Sequence, residues 1–191
     1  LASLNTRWAA LEAASAEKRQ RLAEANDGLS FNRECDDLDA WMDEVETQLS
    51  SEDHGKDIAR VNALLKKHQL LEEDIGKHQD KVEEMGERGR QFGRTTHFMA
   101  KELEERSVKI INRYQELSDP CQIRHDNLED ALLLYQFYRD IEDELSWIQE
   151  KRPIAANTDL GTNLSAVHIL VKKHQALESE IVSHEPLMES V

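Results

Sequence analysis

LLKKHQLLEEDI, residues 64–75, returns as LVKKHQALESEI at 170–181, a displacement of 170 − 64 = 106 residues with nothing inserted or lost. The same displacement sets Phe31 on Phe137, Trp41 on Trp147, Gly55 on Gly161, Val61 on Val167, Ile75 on Ile181 and His78 on His184. Upstream, Arg7-Trp8 falls on Arg113-Tyr114 and Leu11 on Leu117. A register held over this length is an internal repeat of domain size, and it decides the architecture before any single motif is read.

Each unit holds three helical patterns. The first runs Phe31, Cys35, Leu38, Met42, Val45 and Leu49, in steps of 4, 3, 4, 3 and 4, with Trp41 beside the seam; this is heptad periodicity. It stops at SSEDHGKD (50–57), where Ser, Asp and Gly supply turn and capping chemistry. The second begins near Asp57 and runs Ile58, Val61, Leu65, His68, Leu71, Ile75, His78, Val82 and Met85. Two consecutive steps of three, Leu65–His68–Leu71, predict a local slip in the supercoil. GERGRQFGRTT (86–96) is expected to end it, with Gly86, Gly89 and Gly93 as breakers. The third restarts after Thr95 or Thr96 as N-cap and places Met99, Leu103, Ile110, Tyr114, Leu117, Cys121 and Leu128 on one stripe.

Three such helices can bury their seams only against one another. The expectation is an all-α fold of tandem left-handed three-helix coiled-coil bundles crossing at about 20°. Between Cys121 and Ile154 no Gly or Pro occurs before Pro153, and the apolar run ALLLYQFY (131–138) crosses the expected unit boundary. The third helix of one unit therefore runs on as the first of the next, a near-continuous helix joining the bundles into a rod. Composition agrees: 33% of the 191 residues are charged and 5% aromatic, and seven Gly with three Pro are too few for the turns of an all-β or compact α/β fold.

A net charge of −15 argues against nucleic acid as a partner, because phosphate binding needs a basic footprint. No apolar run approaches the roughly 20 residues that span a bilayer. The chain starts without Met, which reads as a piece of a longer protein. Cys35 and Cys121 stand at apolar helical positions, as buried free thiols of a reducing cytosol do.

Trp in the middle of the first helix, Gly in the following loop, L/I-x-x-V-x-x-L-x-K-K-H opening the second helix and L-x-x-R-W-x-x-L in the third together resemble the spectrin repeat. The residues are Trp41 and Trp147, Gly55 with Ile58 to His68, Gly161 with Leu164 to His174, and Leu4 to Leu11 around Trp8. On that resemblance residues 1–25 end the third helix of a preceding repeat, 26–130 form a complete repeat, and 131–191 supply the first two helices of another. Trp8, Trp41, Trp147, Tyr114, Leu65, His68, Val171 and His174 are expected in cores. The last two helices are expected to show water a stripe of Ile141, Leu145, Ile148, Leu164, Val167, Val171, Leu177 and Ile181, of the kind that marks a binding site or a cut end.

The resemblance implies an elastic spacer and cross-linking element of an actin-linked membrane skeleton, cytoplasmic at the inner face of the plasma membrane, with actin reached through regions outside these residues. It implies a partner spectrin chain, lateral or end to end, because in that family an open helix pair accepts a lone third helix; the segment with Trp8 is itself such a helix. The alternative is a docking module for an ankyrin-like adaptor or anionic lipid.

The reactive residue types take their surroundings from these helices. His68, His78, His174 and His184 recur on the second-helix stripe, but ten residues separate the pair in each copy and no Cys or His stands one turn away. They read as core-edge histidines, with no metal or cofactor. Lys66-Lys67 and Lys172-Lys173 read as a solvated face, short of the four to eight basic residues typical of lipid recognition. Arg88, Arg90 and Arg94 read as a basic spot in a flexible turn without a phosphate-cradling motif. Paired carboxylates such as Asp36-Asp37 and Glu104-Glu105 have no concave pocket to shift their ionisation, so no active site is expected.

Two local departures stand out. Asn26-Asp27-Gly28 is expected to bend or fray the first junction, Gly costing about 1 kcal/mol in a helix interior. Pro120 is expected to kink the third helix by more than about 20°, unless Ser118 or Asp119 caps a restarted helix with Pro120 at its first position.

Overall fold

The computed structural model describes residues 2–95 and 97–190. Their regular structure is helical: α1 Ala2–Leu49, α2 Ile58–Gly93, α3 Ala100–Glu116, α4 Ser118–Ala155 and α5 Leu164–Ser190. No helix of the described residues is long and apolar enough to cross a membrane. The chain divides into two compact units, residues 1–53 with 63–127 and residues 54–62 with 128–191.

The first unit is closed. Phe31, Cys35, Leu38, Met42, Val45 and Leu49 of α1 are buried with Leu71, Val82, Met85 and Phe92 of α2, Leu103 and Ile110 of α3, and Leu117. The inward residues of α2 fall at 61, 64, 68, 71, 75, 78, 82, 85, 89 and 92, an unbroken alternation of three and four. The predicted slip is therefore absent. Leu64, not Leu65, is the seam residue; Leu65 is half-buried beside it. The stripe of α3 and the start of α4 is equally regular once two polar residues, Ser107 and Arg124, are counted as buried members.

The expected breakers do not break. α2 runs to Gly93, because Gly86, Gly89 and Gly93 are points of close approach to α3. A methyl group at Gly89 would lie 1.9 Å from Ser107 Oγ. Arg88 and Arg90 are consequently helical: Arg88 Nη1 pairs with Glu34 at 2.6 Å and its guanidinium lies 5.3 Å from the centre of the Phe31 ring, while Arg90 pairs with Glu87 at 2.7 Å. Only Arg94 stands in the turn.

The N-cap expected at Thr95 is also corrected, and Thr96 lies outside the described residues. Thr95 Oγ1 donates to Phe92 O at 2.8 Å, finishing α2 instead of opening α3. The link to α3 is organised by His97, whose Nδ1 accepts from Met99 N at 3.1 Å and whose Nε2 donates to Glu24 O at 2.7 Å. Here the expected fraying at residues 26–28 finds its correction. α1 passes through them intact, and Gly28 is buried because a side chain there would meet the His97 ring at 3.0 Å. At Pro120 the helix restarts, but earlier than the capping alternative requires: α3 ends at Glu116, Leu117 keeps helical angles, α4 opens at Ser118, and Pro120 is its third residue, still in the first turn, where a missing N–H costs least.

In the second unit Val61, Leu128 and Leu177 are buried. Tyr135 Oη donates to Gly55 O at 3.3 Å. Gly55 and Gly161 hold the same loop position with φ of 85° and 79°, a region open to glycine at little cost. The helix after each loop is capped alike, Asp57 Oδ1 accepting from Arg60 N at 2.7 Å and Asn163 Oδ1 from Ala166 N at 2.9 Å. As the sequence predicts, α4 continues unbroken through 131–138.

Candidate functional site

In the first unit, α3 is held on α1 by charge as well as by the core. Arg113 Nε and Nη2 donate to the two carboxylate oxygens of Glu46, each at 2.8 Å, and Nη1 donates to Asp39 Oδ1 at 3.1 Å, with Asp43 also on Nη2. Hydrogen bonds, from Glu46 first and Asp43 next, hold this guanidinium above its ordinary range. Arg106 reaches Asp36 and lies 3.7 Å from Asp39. α1 thus offers an acidic rim, Asp36-Asp39-Asp43-Glu46, to two arginines of α3.

The displacement of 106 puts Glu142, Leu145, Gln149 and Arg152 at those four rim positions of α4. The acidic rim is not repeated. Nor is the burial: among the expected stripe residues, Leu145, Ile148, Leu164, Val167, Val171 and Ile181 are exposed, from 37% at Val167 to 72% at Leu164. Ile141 is half-buried. Leu177 corrects the expectation: it is buried, at the register position of Leu71, which is buried in the first unit. An open groove of about 520 Å³ lies along this surface, lined by residues including Ile154, Leu160, Val167, Leu170, Val171 and His174.

Of the expected core residues, Trp41, Tyr114, Trp147 and Leu65 are half-buried and His68 is buried. The Trp41 indole is stacked on the His78 ring, and its Nε1 donates to Asp74 Oδ2 at 2.8 Å. Tyr114 Oη donates to Ile75 O at 2.8 Å. Trp147 is stacked on His184, whose Nε2 lies 2.6 Å from Glu144 Oε2. Trp8, Val171 and His174 are corrections, since all three are exposed. Every residue from 2 to 23 is exposed, so nothing among the described residues covers Trp8; likewise no third helix covers the face of α5 that carries Val171 and His174. Lys66, Lys67, Lys172 and Lys173 are exposed.

The residues able to hold a metal are ones the sequence reading set aside. His68 Nε2 stands 3.4 Å from Glu72 Oε1 and 3.8 Å from Cys121 Sγ, and His125 Nδ1 stands 3.2 Å from the same Glu72 oxygen. Burial pushes the His68 imidazole below its ordinary range. Spacing within one helix could not find this group, but the pairs His68–Glu72 and Cys121–His125, each four apart on facing stripes, are its signal. The missed polar seam residue Arg124 is a positioning residue: its Nη1 donates to Ser51 O and its Nη2 to Asp53 O at 3.3 Å, holding the chain as it leaves α1.

A family model described as spectrin repeat matches residues 26–130 and 132–191. The chain is 39% identical over 184 residues, 96% of its length, to spectrin alpha chain, erythrocytic 1, of Mus musculus. It is 35% identical over 187 residues, 98% of its length, to spectrin beta chain, non-erythrocytic 5, of Homo sapiens. It is 32% identical over 189 residues, 95% of its length, to the spectrin beta chain of Drosophila melanogaster. The chain spans 8%, 5% and 8% of the lengths of these three proteins.

Proposed function

The chain belongs to the spectrin repeat family, and on that premise we propose that it is a structural segment of a spectrin-type chain. It acts as a spacer that sets distance and carries tension in an actin-linked skeleton at the inner face of the plasma membrane, with actin bound by other regions of the parent. The observation that carries this reading is helix continuity where repeats are proposed to meet: α1 is intact through residues 26–28 and α4 through 131–138. Residues 1–25, 26–130 and 131–191 are then the end of one repeat, a whole repeat and the opening helix pair of the next. The 38 residues of α4, at about 1.5 Å each, give a strut of about 57 Å. We assign the chain no catalytic role; its carboxylate clusters serve as rims that hold one helix on another.

Stretching the chain by its two ends in an optical trap tests this reading. Discrete, reversible unfolding steps are expected, with Leu133→Pro lowering the force at which they occur. Gradual extension without any step overturns the spacer.

A second reading rests on the exposed stripe of α4 and α5. We propose that its occupant is a third-type helix from a partner spectrin chain, arriving end to end; an ankyrin-like adaptor and anionic lipid are the other outcomes of the test. The rim of Glu142, Gln149 and Arg152 calls for a helix whose facing edge has mixed charge, where α3 presents Arg106 and Arg113 to the acidic rim of α1. Light scattering across a concentration series, with phosphatidylserine vesicles and an ankyrin-like adaptor as added arms, reads the occupant directly. A strict monomer that binds neither leaves the spacer alone.

A further inference from the structure

We propose that His68, Glu72, Cys121 and His125 form a structural binding site for one divalent transition-metal ion, Zn(II) by the character of its donors, that clips α2 to α4. Residues four apart share a helix face, and here a His–Glu pair on α2 meets a Cys–His pair on α4. Zn(II) binds N and O at about 2.0–2.1 Å and S at about 2.3 Å in a tetrahedron, whose edges are then about 3.3–3.7 Å. The separations found are 3.4 Å between His68 Nε2 and Glu72 Oε1 and 3.8 Å between His68 Nε2 and Cys121 Sγ. All three atoms lie within 4.8 Å of one another. His125 Nδ1 lies 3.2 Å from Glu72 Oε1 and would have to turn toward His68 and Cys121 to take the fourth position.

The charges also close. Zn(II) with a Glu72 carboxylate and a Cys121 thiolate is neutral overall, as a site beside the buried His68 requires. On binding, the Cys121 S–H bond breaks, an S–Zn bond forms, and the proton leaves to solvent. His68 Nε2 turns its lone pair to the metal, giving up its 3.1 Å contact with Cys121 O, and its proton moves to Nδ1, which is buried with no hydrogen-bond partner among the described residues, a cost the metal–nitrogen bond must offset. With His125 as the fourth ligand no coordination position is left open, which is the pattern of a structural site and not a catalytic one. The repeat supplies an internal control. His174 and Glu178 reproduce the α2 pair at 3.5 Å, but in the open, and the Cys–His pair of α4 has no repeat opposite them among the described residues.

Titration of Co(II) into the reduced, metal-free chain tests the site, followed by competition with Zn(II). One ion per chain is expected, with the intense near-ultraviolet band of a thiolate–Co(II) bond and the visible bands of four-coordinate Co(II). Cys121→Ser should abolish the thiolate band, and Glu72→Gln, at a partly exposed position that leaves the fold intact, should weaken Zn(II) at least about tenfold. His174→Ala should change neither. Absence of the thiolate band in the wild-type chain, its survival in Cys121→Ser or its loss in Cys35→Ala overturns the proposal, as does unchanged affinity in Glu72→Gln.

Discussion

The indole of Trp41 lies flat on the imidazole of His78, ring centres 3.8 Å apart and planes 15° from parallel, and 106 residues on Trp147 lies on His184 at 3.9 Å and 9°. The stack is written twice, but its surroundings are not. The ring of Tyr114, from α3, stands 6.4 Å from Trp41, whereas Lys151 lies 6.0 Å from the Trp147 ring. Trp41→Ala is therefore expected to cost about 3–5 kcal/mol, and Trp147→Ala less than half of that. Urea unfolding followed by circular dichroism measures both; equal costs would mean that the third helix adds nothing to the stack.

The same substitution should have opposite signs at two glycines of α2. A methyl group at Gly89 would sit 1.9 Å from Ser107 Oγ and 2.3 Å from its Cβ, so Gly89→Ala must push α3 away and should cost about 1–3 kcal/mol. Nothing lies within 4 Å of the corresponding methyl at Gly76, where Gly→Ala should stabilise by about 0.4–1 kcal/mol. Ser107→Gly should recover part of the Gly89→Ala loss, since it removes both contacting atoms. Melting temperatures of the three variants and the double variant check the set.

Burial, above all other causes, pushes the Cys35 thiol up to about 11. A group whose folded value is raised contributes stability in full below its unfolded value and loses it as pH climbs towards the folded one. From about pH 9 to pH 11 the wild-type chain should thus lose stability that Cys35→Ala does not, by at most about 3 kcal/mol at about 1.4 kcal/mol per unit. Denaturation at pH 8 and pH 10.5 reads the difference. At pH 8 a thiol reagent should modify the half-buried Cys121 before Cys35.

Arg113 meets three carboxylates at a rim that water reaches, its own side chain being 26% exposed. Arg113→Met should cost about 1 kcal/mol at low salt. The loss should shrink in 1 M salt, where screening acts over about 3 Å. A cost independent of salt would assign the effect to packing of the aliphatic stem.

Apolar seam positions were legible because each burial there comes from local periodicity: Phe31 to Leu49 all face inward as spaced. Polar seam members were not. Ser107 is small because Gly89 presses on it, and Arg124 is long because Ser51 and Asp53 need a donor, reasons that lie on other helices. Leu64 and Leu65 differ by only about 100° around the helix, so spacing alone admits a slip that the packed seam does not have. Trp8 and His174 show the converse limit: their periodicity is right, but burial needs a neighbouring helix that no local pattern can supply, while Val171 stands at the register of Leu65, one residue off the seam. The His68 cluster joins residues 53 apart, beyond any motif window.

The grip of Arg124 on Ser51 and Asp53 also bears on where the polypeptide can be nicked. The 50–57 stretch is tied down by a guanidinium from α4, whereas 156–163 is shaped by contacts within itself, Asn157 to Asp159 and Asp159 to Gly161. Two loops built to one plan should therefore meet a subtilisin-like enzyme of broad specificity differently, the later one being cleaved while the earlier one endures.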